Sequence, residues 1–181
     1  DNSPISPEEA NKVKRGHWAP LLSVPMHLKV SKDNPIVTDP YIKATDKICK
    51  KWKETISQKG GPIIGLNWRG NRKDPGKQGR NVPIKYFKKL LNTPEYKFIC
   101  LQRGAGQQEL GEIMSNHGVN LLQRNISQIA DSNQPGDFLE YAAIISSCDL
   151  VITTGSTVAH MAAGIGIPTW VLLPRVPDWR W

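Results

Sequence analysis

The stretch DLVITTGSTVAHMAAGIGIP, residues 149–168, joins an apolar strand to a helix through small and hydroxyl-bearing residues. Gly155 follows the strand, and the helix begins at Ser156 or Thr157. The first amide groups of a helix have no partner inside it, and together with the positive end of the helix dipole they favour an anion. The hydroxyls of Ser156 and Thr157 can add donors, so this junction predicts a diphosphate site. The alternative is that Ser156 only caps the helix.

His160 lies four residues after Ser156, on the same helical face and one turn further along. It either contacts a phosphate or sugar, or holds the loop in place. Ser156 does not fit a hydrolase nucleophile, because the G-x-S-x-G elbow needs glycine two residues after the serine and Val158 stands there. The pattern therefore indicates ligand binding and not hydrolysis.

A basic loop, NWRGNRKDPGKQGRNVP at residues 67–83, follows the first apolar strand of the same pattern. Its cationic residues are Arg69, Arg72, Lys73, Lys77 and Arg80. Arginine can hold phosphate oxygens with two parallel hydrogen bonds. We expect Arg80, together with Arg69, to clamp the anion, the alternative being a solvated loop that happens to be basic.

Other nucleotide and metal signatures are missing from the sequence. There is no G-x-x-x-x-G-K-[ST] phosphate loop, no D-x-D pair and no histidine pair at metal-ligand spacing. The segment GAGQQE, residues 104–109, begins like a dinucleotide fingerprint, but Glu109 occupies the third glycine position. We interpret that segment as a turn into a helix. A diphosphate would be bound by amides, hydroxyls and arginine, without metal or cofactor.

Short apolar strands alternate with helices from Pro62 onward. These elements must position the residues of the 149–168 junction and of the basic loop. The strands are PIIGLNW, KFICLQ, VNLL, DLVITT and PTWVLLP; the helices span about 83–91, 107–116, 137–146 and 157–164. Continuous apolar strands indicate burial on both faces and a mostly parallel sheet. The pattern predicts a doubly wound, Rossmann-like α/β domain with strand order 3-2-1-4-5, in which ligands bind at the carboxyl ends of the strands. Arg80 and Ser156 should then converge.

Residues 1–58 differ from this pattern. A serine-proline-glutamate helix start stands at Ser6, and proline punctuates the region from 16 to 40. A helix over 43–59 has an apolar face and lysines elsewhere, which indicates a solvated surface, and it ends at Gly60 and Gly61. We therefore predict two regions, a connector at 1–58 and the Rossmann-like domain at 59–181.

Composition limits the partners and the compartment. The 181 residues carry a net charge of +8, which favours an anionic partner. A nucleic-acid-binding function would be supported by the charge alone, because the sequence lacks the aromatic residues that interleave with basic ones in single-strand binders. No apolar run reaches the roughly 18 to 20 residues of a membrane span. The polar N-terminus predicts no signal peptide, and three scattered cysteines predict free thiols, so we expect a cytoplasmic protein.

The stretch PGDFLEYAAIISSCDLVITTGSTVAHMAAGIGIPTWVLLPRVPDWRW resembles the C-terminal domain of heptosyltransferase-like glycosyltransferases. It is especially similar to the versions attached to tetratricopeptide repeats. The segments IGLNWRGN and RNVP fit the same family, so the resemblance covers 62–181. It implies half of a two-domain glycosyltransferase B-type fold, with the nucleotide sugar in the C-terminal domain and the acceptor in the other.

The resemblance also implies roles for individual residues. Ser156 and Thr157 would contact the donor diphosphate, Arg80 would act as the basic clamp, and His160 would match the family histidine. Gly155 stands where the family has aspartate, and Glu140-Tyr141 stands where it has Asp-Thr. The general base is expected in the acceptor domain, and His17 in the connector is the only candidate that this chain offers.

The implied function is metal-independent transfer of a hexose or heptose from a nucleotide sugar to a hydroxyl of a glycan, a lipid-linked sugar or a protein. A non-catalytic module that binds a nucleotide sugar or a phosphate ligand and has lost transferase activity is the alternative, and Gly155 favours it. Two such domains need about 300 residues, whereas the sequence stops at Trp181. We therefore expect a fragment, truncated at its C-terminus, or a chain without its acceptor half, inactive on its own.

Overall fold

The computed structural model divides the chain into two compact units, Asp1–Thr38 and Asp39–Trp181. It describes residues 7–8, 11, 19–36, 38–56, 61–70, 81–102, 109, 121–122, 137–177 and 181. In the first unit, a 3-10 turn at Leu21–Ser23 leads into one helical turn, α1, at Val24–His27. The helix predicted to start at Ser6 is described only at residues 7, 8 and 11, all of them helical.

Helix α2, Asp46–Ile56, is the core of the predicted 43–59 helix. It belongs to the second unit, so the boundary between the compact units falls at Asp39, ahead of the expected 58/59 division. The physical reason is its apolar face, since Trp52 and Ile56 are each only 4% exposed in a core cluster of that unit. The indole Nε1 of Trp52 also donates to the carboxylate of Glu140.

The second unit is built on a five-stranded sheet whose strand order is β3-β2-β1-β4-β5, as predicted. All four strand pairings are parallel. The strands are β1 Ile63–Asn67, β2 Lys97–Cys100, β3 Leu121–Leu122, β4 Leu150–Thr154 and β5 Thr169–Leu172. Every residue of β1 is buried, which explains its unbroken apolar sequence.

Helices connect these strands. A 3-10 turn, Ile84–Phe87, continues into α3, Lys88–Leu91, and the later crossovers are α4, Asp137–Ile145, and α5, Thr157–Ile165. The chain therefore forms the predicted doubly wound α/β fold. The helix expected over 107–116 lies outside the described residues except Glu109, which is helical.

Two apolar clusters form the core. One joins β1 and β4 to α2, α4 and α5; the other joins them to the 3-10 turn and α3. Cys100 and Cys148 are free thiols within these clusters, and burial raises the pKa of each to about 12. Both cysteines are therefore uncharged packing residues, as the sequence indicates. Within the described ranges, no helix has the length and apolar character needed to cross a membrane.

A strap of chain at Pro40–Ile42 crosses the C-terminal end of α5. The amides of Tyr41 and Ile42 both donate to the carbonyl of Gly164, at 2.8 and 2.9 Å. A Cβ at Gly164 would lie 2.7 Å from Ile42 Cδ1, and Gly166 ends the helix with a φ of +92°. A side chain at residue 164 would therefore force the side chains of Ile42 and Tyr41 to move, because the strap packs directly against the helix.

Candidate anion-binding site

The junction between β4 and α5 lies at the carboxyl edge of the sheet, where β1 and β4 are direct neighbours. Their register pairs Asn67 with Thr153, so the two strands end side by side. Ser156 has an extended backbone, with φ −130° and ψ 175°, and α5 begins at Thr157 without a side-chain cap. The first helical amides therefore keep the anion preference expected of an uncapped helix start.

The Ser156 hydroxyl was expected either to donate to a phosphate or to cap α5, but its observed contacts are with other side chains. It donates to Asn67 Oδ1 at 3.1 Å and lies 3.1 Å from Thr153 Oγ1. A serine has one hydroxyl proton, and this one is used by Asn67. Ser156 thus does not cap α5, and its side chain can donate to a phosphate only by giving up Asn67. Its backbone amide carries no such restriction.

Asn67 is the centre of a buried polar network, which we call the Asn67 network: Asn67, Gln102, Thr153 and Ser156. Asn67 Oδ1 also lies 3.1 Å from Thr153 Oγ1, and Asn67 Nδ2 donates to Gln102 Oε1 at 3.2 Å. That same Gln102 oxygen accepts the amide of Arg69 at 2.9 Å. Asn67 and Gln102 are each 4% exposed. Because buried polar groups need partners, the network ties together the ends of β1, β2 and β4.

Thr154 lies directly before Gly155 and has a different environment. Its side chain is completely buried, and its Oγ1 has no hydrogen-bond partner in the described part of the chain. A buried hydroxyl without a partner costs about 1 to 3 kcal/mol. Thr154 is therefore an unused donor at the carboxyl end of β4.

Arg69, one of the two arginines expected to clamp an anion, is paired with a carboxylate of this chain. Its Nη2 contacts one oxygen of Glu109, and its Nε donates to the other at 3.2 Å. The indole Nε1 of Trp68 donates to Glu109 as well, at 3.2 Å. Glu109 thus neutralises Arg69 in this structure, so a clamp role for Arg69 requires breaking a two-point ion pair.

An aromatic contact involves the first turns of α5. The exposed His160 stacks on Trp181, with ring centroids 4.9 Å apart and planes 24° from parallel. A Cβ built on Gly155 would lie 3.2 Å from the indole Nε1 of Trp181. The space next to Gly155, where the family resemblance leads us to expect a carboxylate, is therefore filled by an indole.

Glu140 and Tyr141, which stand where the family has Asp-Thr, make contacts within the fold. Glu140 binds the Trp52 indole and lies 3.3 Å from Lys51 Nζ, while the Tyr141 hydroxyl donates to the carbonyl of Leu101. These contacts make Glu140 and Tyr141 scaffold residues. Arg80 and His17 lie outside the described residues, so the convergence of Arg80 with Ser156 stays a prediction.

The sequence reasoning missed Asn67, Gln102 and Trp181 as parts of this site. For Asn67 and Gln102 a signal was present, since each ends an otherwise apolar strand segment (IIGLN and FICLQ). A buried amide side chain needs hydrogen-bond partners, so an Asn or Gln at the end of an apolar strand indicates other polar groups nearby. Trp181 had no local signal, because its contact comes from the tertiary fold. Among the described residues no three His, Cys, Asp or Glu side chains group as metal ligands.

No protein-family model matches the chain. Protein FlbA of Caulobacter vibrioides is 27% identical over 123 residues, which cover 67% of this chain and 20% of that protein. The chain thus spans about a fifth of the length of this curated relative.

Two solved structures share the fold. The ADP-heptose LPS heptosyltransferase II of E. coli superposes with a TM-score of 0.55 at 13% identity, over 80% of this chain and 41% of that one. A glycosyl transferase family 9 structure from Veillonella parvula gives 0.53 at 18% identity, over 86% and 43%. The chain therefore has the fold of heptosyltransferase-like glycosyltransferases and spans less than half of each structure.

Proposed function

We propose that this chain is the donor-binding part of a glycosyltransferase, and that it binds the diphosphate of a nucleotide sugar at the start of α5. The observation that carries the proposal is the uncapped N-terminus of α5 next to the end of β1. In doubly wound sheets this crevice is the usual ligand position. The shared fold of the two solved glycosyltransferases supports the same assignment.

The chemistry assigned to this part is stabilisation of the leaving group. As the sugar moves to an acceptor hydroxyl, negative charge develops on the departing nucleoside diphosphate. The backbone amides of Ser156 and Thr157 are oriented in advance, and such donors stabilise developing charge without reorganisation. Arg80 is the cation that we assign to the other side of the diphosphate, because Arg69 is paired with Glu109.

The general base is assigned to an acceptor domain, with His17 as the candidate within this chain. The acceptor is a hydroxyl of a glycan, a lipid-linked sugar or a protein, the protein works in the cytoplasm, and no divalent metal takes part. Attachment to tetratricopeptide repeats, implied by the resemblance, remains a prediction as well.

A second function, binding of a nucleotide sugar without transfer, is favoured by one observation. Gly155 carries no carboxylate, and the Trp181 indole occupies the adjacent space. The two functions make the same prediction for ligand binding and different predictions for turnover by the full-length protein. Product formation there supports the enzyme, whereas tight binding without turnover supports the binding module. This chain alone should show no appreciable transfer in either case.

Calorimetry with ADP and with UDP, in the presence and absence of a chelator, tests the site. Arg80→Ala should weaken binding by about 10- to 150-fold, because a hydrogen bond to a charged group contributes roughly 1.5 to 3 kcal/mol. Ser156→Ala should cost less, since its backbone amide remains. Lys53→Ala, in the exposed face of α2, removes the same charge and should change nothing.

Three results would contradict the assignment. Binding that disappears with the chelator rules out the metal-free site. Normal binding by Arg80→Ala removes that residue from it, and equal losses in Arg80→Ala and Lys53→Ala would mean that only net charge matters.

A further inference from the structure

Trp181 lies beside Gly155 and stacks on His160, a residue of α5. Its indole stacks on the exposed imidazole at a centroid distance of 4.9 Å. No described residue accepts a hydrogen bond from its Nε1, and 38% of the residue remains exposed. The indole N–H therefore lies beside Gly155 without an acceptor among the described residues, while the ring stacks on a neighbour.

Gly155 and Trp181 fit each other sterically. A Cβ at Gly155 would lie 3.2 Å from Nε1, 3.7 Å from Cε2 and 3.9 Å from Leu173 Cδ2. The first of these distances is tighter than ordinary van der Waals contact, so a Cβ at this position requires the indole to shift by a few tenths of an ångström. Glycine at this position thus lets the indole pack closely against the backbone.

An indole beside residue 155 has the opposite hydrogen-bonding character to the carboxylate that the family resemblance implies there. A carboxylate only accepts hydrogen bonds and repels phosphate, whereas an indole N–H only donates. In the same junction, the Thr154 hydroxyl is fully buried and has no hydrogen-bond partner among the described residues. The indole donor fits a ligand group that is rich in acceptor oxygens.

We propose that Trp181 is a ligand-contacting residue whose indole N–H donates to a phosphate oxygen of the nucleoside diphosphate bound at the start of α5, with His160 holding the ring in place. The proposal rests on the proposed function, because it names a further contact in the same site. It predicts that Gly155 affects binding only through Trp181.

The test measures the affinity of ADP and of inorganic diphosphate by calorimetry. Trp181→Phe keeps a ring to stack on His160 and removes the N–H, so binding should weaken by about 10-fold or more. Trp170→Phe is the control, since Trp170 lies in β5 and is 64% exposed. It should bind as the wild type does.

A double-mutant cycle isolates the steric coupling. Gly155→Ala should weaken binding in the wild type, where its Cβ pushes against the indole, and should have little further effect in a Trp181→Ala background. Equal losses from Gly155→Ala in both backgrounds would overturn the proposal. Unchanged affinity in Trp181→Phe would overturn it too.

An NMR measurement gives a readout that a merely structural role would not change. The Trp181 indole N–H signal, identified by its loss in Trp181→Phe, should move when ADP is added. It should also move in ligand-free His160→Ala, which removes the stacked ring. If wild-type protein binds neither ADP nor diphosphate, the proposed function fails; if it binds both and the indole signal stays in place, only the role of Trp181 fails.

Discussion

At the scale of single residues, Asn67 decides the geometry of the site. Its carboxamide forms hydrogen bonds with Ser156 and Gln102 and contacts Thr153, although none of these residues is near it in sequence. The sequence placed Gly155, Ser156 and His160 correctly at one junction, because all three lie within one short segment. The ion pair between Arg69 and Glu109 could not be predicted from the sequence, because a contact between residues 40 positions apart depends on the tertiary fold.

Asn67→Ala should destabilise the protein by about 1 to 3 kcal/mol, because it leaves buried polar partners without their hydrogen bonds. Chemical denaturation followed by circular dichroism measures the change. Asn92→Ala is the control, since Asn92 is exposed at the end of α3, and its free energy of unfolding should stay within about 0.5 kcal/mol of wild type. Equal effects in the two variants would mean that the Asn67 network adds nothing to stability.

At the scale of the elements, sequence patterns identified the five strands and the described helices of the second unit, except that the first half of the predicted 83–91 helix is a 3-10 turn. The helix expected over 107–116 stays a prediction. Continuous apolar segments indicated buried strands, and the alternation with helices predicted the parallel order. The pattern could not show that α2 belongs to this unit. Its apolar stripe predicts that one face is buried but not against which partner, and here the partner includes α4, through Trp52 and Glu140.

Gly164→Ala should destabilise the second unit, even though alanine is the better helix former by about 1 kcal/mol. The new Cβ meets Ile42 Cδ1 at 2.7 Å, and overpacking of this kind typically costs about 1 to 3 kcal/mol. Thermal unfolding measures the loss. Gly70→Ala is the matched control, because a Cβ there meets nothing within 4 Å.

Ile42→Val deletes the clashing methyl group and should restore part of the stability that Gly164→Ala loses. If the double variant is no more stable than the sum of the two single changes predicts, the contact with Ile42 Cδ1 is not the source of the strain.

At the scale of the whole molecule, the described residues of the two units differ in how much core they contribute. Both apolar clusters are drawn from residues between 42 and 172, all within the second unit. The first unit instead exposes large apolar side chains, among them Leu21, Leu22 and Met26. Composition indicated a globular chain but could not assign the core to one part of it, because that assignment depends on which apolar residues meet.

A shortened protein that begins at Asp39 should therefore unfold cooperatively, with a midpoint close to that of the intact chain. One that begins at Ala44 should unfold at a lower temperature, since it lacks Ile42 and the two hydrogen bonds to Gly164. Circular dichroism during heating compares the three proteins. A broad, non-cooperative transition in the Asp39 protein would show that its core is not sufficient.

The Asn67 network also determines when the site can exist during folding. Its hydrogen bonds from Thr153 and Ser156 to Asn67 span 86 and 89 positions of sequence. Helix α5 can form from local contacts within about a microsecond, whereas pairing β1 with β4 must wait for the long intervening chain to close. Ser156 gains its orientation only at that step. A partly folded chain with α5 already formed therefore has a helix start but no assembled site, and ligand binding reports completion of the sheet.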